Sequence, residues 1–162
     1  MRILGIDPGT GRMGFGVVDF DRQKAHLVKY GCISTPAHTA ISDRLVIIFT
    51  EIKQIIDKFK PDVIAVEKLF FAKNVTTVMS VGEAMGVVIL LAALAKVPIV
   101  EFTPLQVKQA LTGYGRAEKG QIQKMVQVIL NMEELPRPDD AADALAIAIT
   151  CSSSARSHSP IK

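Results

Sequence analysis

Two short apolar runs in this chain each end on an acid. Ile3-Leu4-Gly5-Ile6 stops at Asp7, and Val63-Ile64-Ala65-Val66 stops at Glu67. Runs of this length, closed by turn signals such as Pro8-Gly9, read as buried strands. Between them, Ile41, Leu45, Ile48, Phe49, Ile52, Ile55, Ile56 and Phe59 recur at three and four residues. That is the period of an amphipathic helix, here about 39–59, halted by Pro61-Asp62. A helix that joins two buried strands implies parallel pairing through a right-handed crossover. Such pairing puts the two strand ends, and therefore Asp7 and Glu67, side by side.

The remaining elements follow from pattern. Residues 14–20 and 26–35 alternate around Gly-rich and Asp21-Arg22-Gln23 turns, which predicts an antiparallel meander with the first strand. A long apolar helix is expected over 75–96 and a short strand over 98–102. Pro104 suits the first position of a helix that reaches about residue 111. Further helices are expected at 118–130 and 139–152. The fold class is thus α/β, with a five-stranded mixed sheet flanked by helices in one domain over residues 1–151. The polar tail, 152–162, is expected to be disordered.

Composition narrows the function. The chain has 162 residues, 49% of them hydrophobic, which is enough for a full core. The Gly86–Ala95 run falls short of the roughly 20 apolar residues of a membrane span, so it reads as a buried helix and no membrane partner is expected. The first residues run straight into a strand-like segment with no charged-then-apolar pattern, so no signal peptide is expected. Cys32 and Cys151 have neither metal-ligand spacing nor a disulfide framework, and the three histidines are scattered. A cytoplasmic location is expected. The net charge of +3 permits an anionic partner without demanding one. Lys68, Lys73, Lys108, Arg116, Lys119 and Lys124 lie near the acids or in loops between elements, where ordinary solvated lysines also occur.

Asp140 and Asp143 stand three apart in the Ala-rich run Asp140-Ala141-Ala142-Asp143-Ala144-Leu145-Ala146 and share one helix face. Asp139 also has helical spacing to Asp143, so spacing alone leaves Asp139 and Asp140 open. Acids at a helix start are favoured by the helix dipole, and Asp7 before Pro8-Gly9 suits a turn. Glu67 at the end of an apolar strand is harder to account for in that way. Four carboxylates brought together repel one another unless a cation compensates them. Oxygen-only ligand sets suit hard cations such as Mg²⁺, and a pair of ions can serve both oxygens of an in-line phosphoryl displacement.

Several motifs in order carry a family resemblance. They are Gly5-Ile6-Asp7-Pro8-Gly9, Glu67 followed by Phe70-Phe71-Ala72-Lys73-Asn74, Gln106-Val107-Lys108-Gln109, Ala117-Glu118-Lys119, and the run from Asp140 to Ala148. Over residues 1–150 the chain resembles the RuvC family of bacterial Holliday junction resolvases. The resemblance implies a ribonuclease H-like fold and a homodimer on four-way DNA junctions. It implies paired symmetric nicks in DNA recombination and repair, leaving 5′-phosphate and 3′-hydroxyl ends. It implies Asp7, Glu67, Asp140 and Asp143 as catalytic and metal-binding carboxylates, with two Mg²⁺ per site and Mn²⁺ able to substitute. Its Asp-Ala-Ala-Asp pattern selects Asp140 over Asp139. It also implies DNA contacts from Phe70, Lys73, Asn74, Lys108 and Lys119, and coupling to a RuvA–RuvB branch-migration complex. Phe70 would act as a base-stacking wedge. Gly82, Ala84 and Gly86 on the long helix suggest close approach of another backbone, shared between core and dimer contact.

Two other readings compete. A non-catalytic junction-binding module would keep the basic residues without a carboxylate cluster. An ATP-binding phosphotransferase relative would use Asp7-Pro8-Gly9-Thr10 as a phosphate loop, but it needs two lobes where this length allows one.

Overall fold

The computed structural model describes residues 1–22, 24–68 and 75–157. Strands β1 (Arg2–Asp7), β2 (Arg12–Asp21) and β3 (Lys24–Ser34) form the expected meander. Helix α1 (Ile41–Phe59) leads to β4 (Val63–Glu67), and α2 (Val75–Ala95) leads to β5 (Ile99–Phe102). Helices α3 (Pro104–Thr112), α4 (Lys119–Ile129) and α5 (Asp139–Ser157) complete the chain. The sheet order is β3-β2-β1-β4-β5. β1 is antiparallel to β2 and parallel to β4, and β4 is parallel to β5. The crossover inferred from the two apolar runs is therefore present.

Period-two alternation splits the core between the sheet faces. Leu4, Ile6, Ile64 and Val66 point to a core shared with α1 and α2. Ile3, Val63 and Ala65 point to the other core, with α3, α4 and α5. Helix α5 is buried on all sides from Ala141 to Ile149, apart from the half-exposed Asp143 among them. It lies on β1 and β2, while α3 and α4 pack against it from outside. Its Ala-rich sequence reflects this position, because small side chains let both layers come close.

Two sequence expectations need correction. Helix α5 continues to Ser157, past the expected boundary at residue 151. Ser152 is buried, and the hydroxyls of Ser152 and Ser153 both donate to the Ile149 carbonyl, at 2.7 and 3.2 Å. Serine hydroxyls that bond back to the preceding turn are compatible with a helix interior, and this explains why the polar run does not end it.

Helix α2 is buried on one side only. Ala84, Met85, Val88, Leu91 and Ala92 face the core, whereas Met79, Ile89, Leu90 and Leu94 are exposed. A Cβ added at Gly82 or Gly86 would meet nothing within 4 Å, and Ala84 is a core residue. Within the chain, therefore, no other backbone comes close to these glycines among the described residues, and for them the core half of the expected shared role is not met. By length and composition alone, Val78–Ala95 would suffice to cross a membrane, and 28% of it is buried.

The tightest packing in the fold joins α5 to the sheet. A Cβ on Gly5 would lie 2.1 Å from the Ala144 carbonyl oxygen and 2.9 Å from the Ala148 nitrogen. Both obstacles are backbone, so the helix must shift to admit a methyl group. Gly5→Ala is expected to cost about 1–3 kcal/mol in urea denaturation. An unchanged midpoint would show that α5 does not rest on this glycine.

Candidate active site

Asp7 ends β1 one step past the Ile6–Val66 pair, and Glu67 ends β4 one step past the same pair. Each follows a residue that points to the α1–α2 core, so both carboxylates face α5. Across the sheet, Asp7 pairs with Gly14 on β2. A Cβ on Gly14 would sit 1.8 Å from the carbonyl oxygen of Asp140. The start of α5 therefore rests on the backbone next to Asp7. No residue with a side chain could replace Gly14 and leave the helix where it is. The loop after Asp7 is tied down as well. The Thr35 hydroxyl donates to the Thr10 carbonyl at 2.5 Å, the Thr35 amide donates to Gly11 at 3.0 Å, and Arg44 Nε donates to Thr35 Oγ1 at 2.8 Å.

The electrostatics show one cluster. Burial raises the Asp7 carboxyl from 3.8 to about 7, with further contributions from Asp143, Glu67 and Asp140, and Lys119 opposes them. Burial and then Asp143 raise Glu67, again against Lys119. Burial also raises Asp143, although a hydrogen bond from Lys119 pulls it back down. Lys119 Nζ lies 3.0 Å from Asp143 Oδ2 and 3.3 Å from Asp139 Oδ2. Partial burial disfavours the Lys119 charge, but these two acids outweigh that and raise it.

The structure separates Asp139 from Asp140. Asp139 is exposed, accepts from Gln123 Nε2 at 2.9 Å, and is held below the ordinary range by that bond and by Lys119. It is not among the acids that act on Asp7, whereas Asp140 is. Arg12 Nη2 stands 2.8 Å from Asp140 Oδ2. The contact is ionic and its geometry is not that of a hydrogen bond, so this buried oxygen has no donor.

Among the described residues, no three His, Cys, Asp or Glu side chains are arranged tightly enough to enclose a metal ion as a set. Lys119 and Arg12 instead hold Asp143 and Asp140 as ion pairs. The donor set still fits a hard divalent cation. It is all carboxylate oxygen, it is partly buried, it includes a buried Asp140 oxygen without a donor, and the raised pKa values of Asp7, Glu67 and Asp143 mark a cost that an added cation would relieve.

A cleft of about 190 Å³ opens beside the acids, lined by Glu67, Asp143, Lys108 and Lys119 with Pro104, Val107, Ile122, Ala146 and Ile147. Local capping aims both lysines. The Thr103 hydroxyl accepts from the Gln106 amide at 3.1 Å, and Gln106 Oε1 accepts from the Thr103 amide at 2.8 Å, which starts α3 two turns before its end. Gln121 Oε1 accepts from the Glu118 amide at 2.8 Å, which sets Lys119 as the first residue of α4. Gly120 falls in that first turn, where a glycine costs less than in a helix interior. Lys124 lines a different pocket, with Leu111, Tyr114 and Met125. Phe70, Lys73 and Asn74 lie outside the described residues. The sequence reading missed Arg12 and Gln123. The only available signal for Arg12 was a basic residue that follows the Pro8–Gly11 turn.

A mixed sheet with acids on its two central strand ends and a helix laid across them is a ribonuclease H-like nuclease framework. The model of the family described as "Crossover junction endodeoxyribonuclease RuvC" matches residues 3–151. The protein of that name from Brevibacillus brevis is 55% identical over 93% of this chain and 90% of its own length. Its counterpart from Heliobacterium modesticaldum is 52% identical over 95% of each chain. The structure of T. thermophilus RuvC in complex with a Holliday junction substrate superposes with a TM-score of 0.90 at 36% identity, over 98% of this chain and 97% of that one. The chain belongs to the RuvC family of crossover junction endodeoxyribonucleases.

The raised Asp7 pKa has a consequence for stability. In an unfolded chain the group releases its proton near 3.8, and in the folded metal-free protein near 7. The folded state binds more protons between these values, so stability falls as pH rises through that window and stays reduced above it. In EDTA, Asp7→Asn should be roughly 1–4 kcal/mol more stable than the parent at pH 8. The gap should close towards pH 4 in urea denaturation. A variant less stable than the parent at pH 8 would make Asp7 a structural residue.

Proposed function

We propose that this endonuclease resolves four-way DNA junctions with Asp7, Glu67, Asp140 and Asp143 as its catalytic carboxylates. The observation that supports this most is the convergence of Asp7 and Glu67, at adjacent parallel strand ends, with the start of α5 that bears Asp140 and Asp143 and rests on Gly14 beside Asp7. They would hold divalent cations, Mg²⁺ or Mn²⁺ and two per site, which supply an activated water and neutralise charge on the phosphate.

The residues of this chain do the rest. Asp7 and Glu67, fixed at adjacent strand ends, and Asp140 and Asp143, fixed on the first turns of α5, set where the phosphodiester rests. Water attacks phosphorus in line, the P–O3′ bond breaks, and the 3′-oxygen leaves to become a hydroxyl while the phosphate stays on the 5′ end. Lys119, whose ammonium bridges Asp143 and Asp139 in the free protein, turns to the phosphate and offsets its growing negative charge. Lys108, which lines the same cleft, does the same from α3. Phe70 stacks on a base, and Lys73 and Asn74 contact the strand beside it.

The exposed apolar face of α2, Met79, Ile89, Leu90 and Leu94, is the surface on which a second copy of the chain would pack. A two-fold dimer carries two identical sites, which matches the approximate two-fold symmetry of a four-way junction and yields paired nicks. A RuvA–RuvB complex is the partner that would deliver the junction. A cytoplasmic location, where chromosomal DNA recombines, agrees with this reading.

Cleavage of an end-labelled four-way junction tests it, run in Mg²⁺, in EDTA and against linear duplex of the same sequence. Symmetric nicks on the junction in Mg²⁺ alone are expected. Asp7→Asn should bind the junction and leave it uncut, and Lys119→Ala should slow nicking roughly 10²-fold. Cleavage in EDTA, or binding without cleavage by the parent protein, would overturn the assignment.

A further inference from the structure

Next to the acids lies a second groove, of about 660 Å³, lined by Arg12, Gln123, Leu135, Pro136, Arg137, Pro138 and Asp139, and it shares no lining residue with the lysine cleft. Nothing in the mechanism above uses it. Its chemistry is distinctive, with two exposed arginines, 12 and 137, brought together from β2 and from the turn before α5. Arg137 forms no ion pair among the described residues. Arg12 engages Asp140 through one guanidinium nitrogen and is more than half exposed. A guanidinium carries five donors, so most of those on Arg12 have no carboxylate to satisfy them. Pro136 and Pro138 restrict the backbone on either side of Arg137 and hold this wall of the groove in place.

We infer that the Arg12–Arg137 groove binds a backbone phosphate of the cleaved DNA strand, next to the phosphodiester held by the carboxylates. This inference rests on the junction-cleavage reading above. The placement carries it. Asp140 belongs to the acid cluster around Asp7, and Arg12 sits directly on Asp140, so the groove begins where the cluster ends. Asp139 is shared between the groove and the Lys119 ion pair. A strand with one phosphate at the acids would therefore have both the lysine cleft and the arginine groove within reach of its neighbouring phosphates. Two guanidiniums facing one groove suit a phosphate better than any neutral ligand, because the fork of donors matches its oxygens. The contact would position the strand without reading its sequence.

The test compares junction affinity as a function of salt, in EDTA so that binding is read without cleavage. Arg137→Gln is the principal variant, because Arg137 is exposed and pairs with no acid. Lys24→Gln is the control, with the same loss of charge at the opposite end of the sheet, where Lys24 opens β3 across the backbone register from Asp21. For Arg137→Gln the slope of log affinity against log salt should be shallower by about 0.9, the loss of one duplex phosphate contact. The affinity gap to the parent should then narrow about threefold between 50 and 200 mM salt. Arg137→Lys should recover the slope. A slope for Arg137→Gln equal to that of Lys24→Gln and the parent would overturn the inference, with the parent's junction cleavage left standing. A parent protein that neither binds nor cuts the junction would remove the underlying reading instead, so the two failures are distinguishable.

Discussion

The contact between the backbone of α5 and the backbone of β1 and β2 is the constraint on which the site depends. Gly5 and Gly14 remove two side chains from the sheet face, and the carbonyls of Ala144 and Asp140 occupy the space. Because Gly14 is the sheet partner of Asp7, the helix start is pinned to the acid's immediate neighbour. Asp140 and Asp143 then project into the region where β1 and β4 end. A helix resting on ordinary side chains would stand farther from the sheet, and four carboxylates would no longer act on one another. Packing and chemistry are here the same contact, which is why the alanines of α5 serve both.

That arrangement carries an electrostatic cost. Asp7, Glu67 and Asp143 are all shifted towards their neutral forms, chiefly by burial, with neighbouring acids adding to the shift in each case. The fold offsets part of this with cations of its own. Lys119 pairs with Asp143, and Arg12 pairs with Asp140. Among the described residues, Asp7 forms no ion pair of its own. A site that gives up stability in the absence of its ligand, and regains it on binding a cation and a phosphate, is the usual pattern where function and stability compete. Lys119 is a counter-ion to Asp143 and Asp139 in the free protein, and in the function proposed above it would leave them for the phosphate.

Much of this was legible in the residues. The two acid-ended apolar runs with an amphipathic helix between them were enough to place Asp7 beside Glu67, because crossover handedness and strand alternation leave few other solutions. The spacing of Asp140 and Asp143 placed them on one face of a helix. Which face of the sheet that helix covers, and how closely, depended on missing side chains at Gly5 and Gly14, whose meaning appears only when distant segments meet. Arg12 was illegible for the same reason, since its partner is about 130 residues away in sequence. The continuous apolar character of α2 hid the difference between a buried face and an open one. The serine run after Cys151 read as a tail because hydroxyls that bond back to a helix carbonyl look, in sequence, like any polar segment.

The central claim is that four carboxylates form one interacting site around Asp7 in the free protein. The most direct measurement is a pH titration of the Asp7 carboxyl carbon by NMR in metal-free protein, repeated in Asp143→Asn. The account predicts a midpoint near 7 for the parent and a lower midpoint once the Asp143 charge is gone. A parent Asp7 that titrates near 4, or one indifferent to Asp143, would mean that the acids are separate surface groups, and the account built on their convergence would fall.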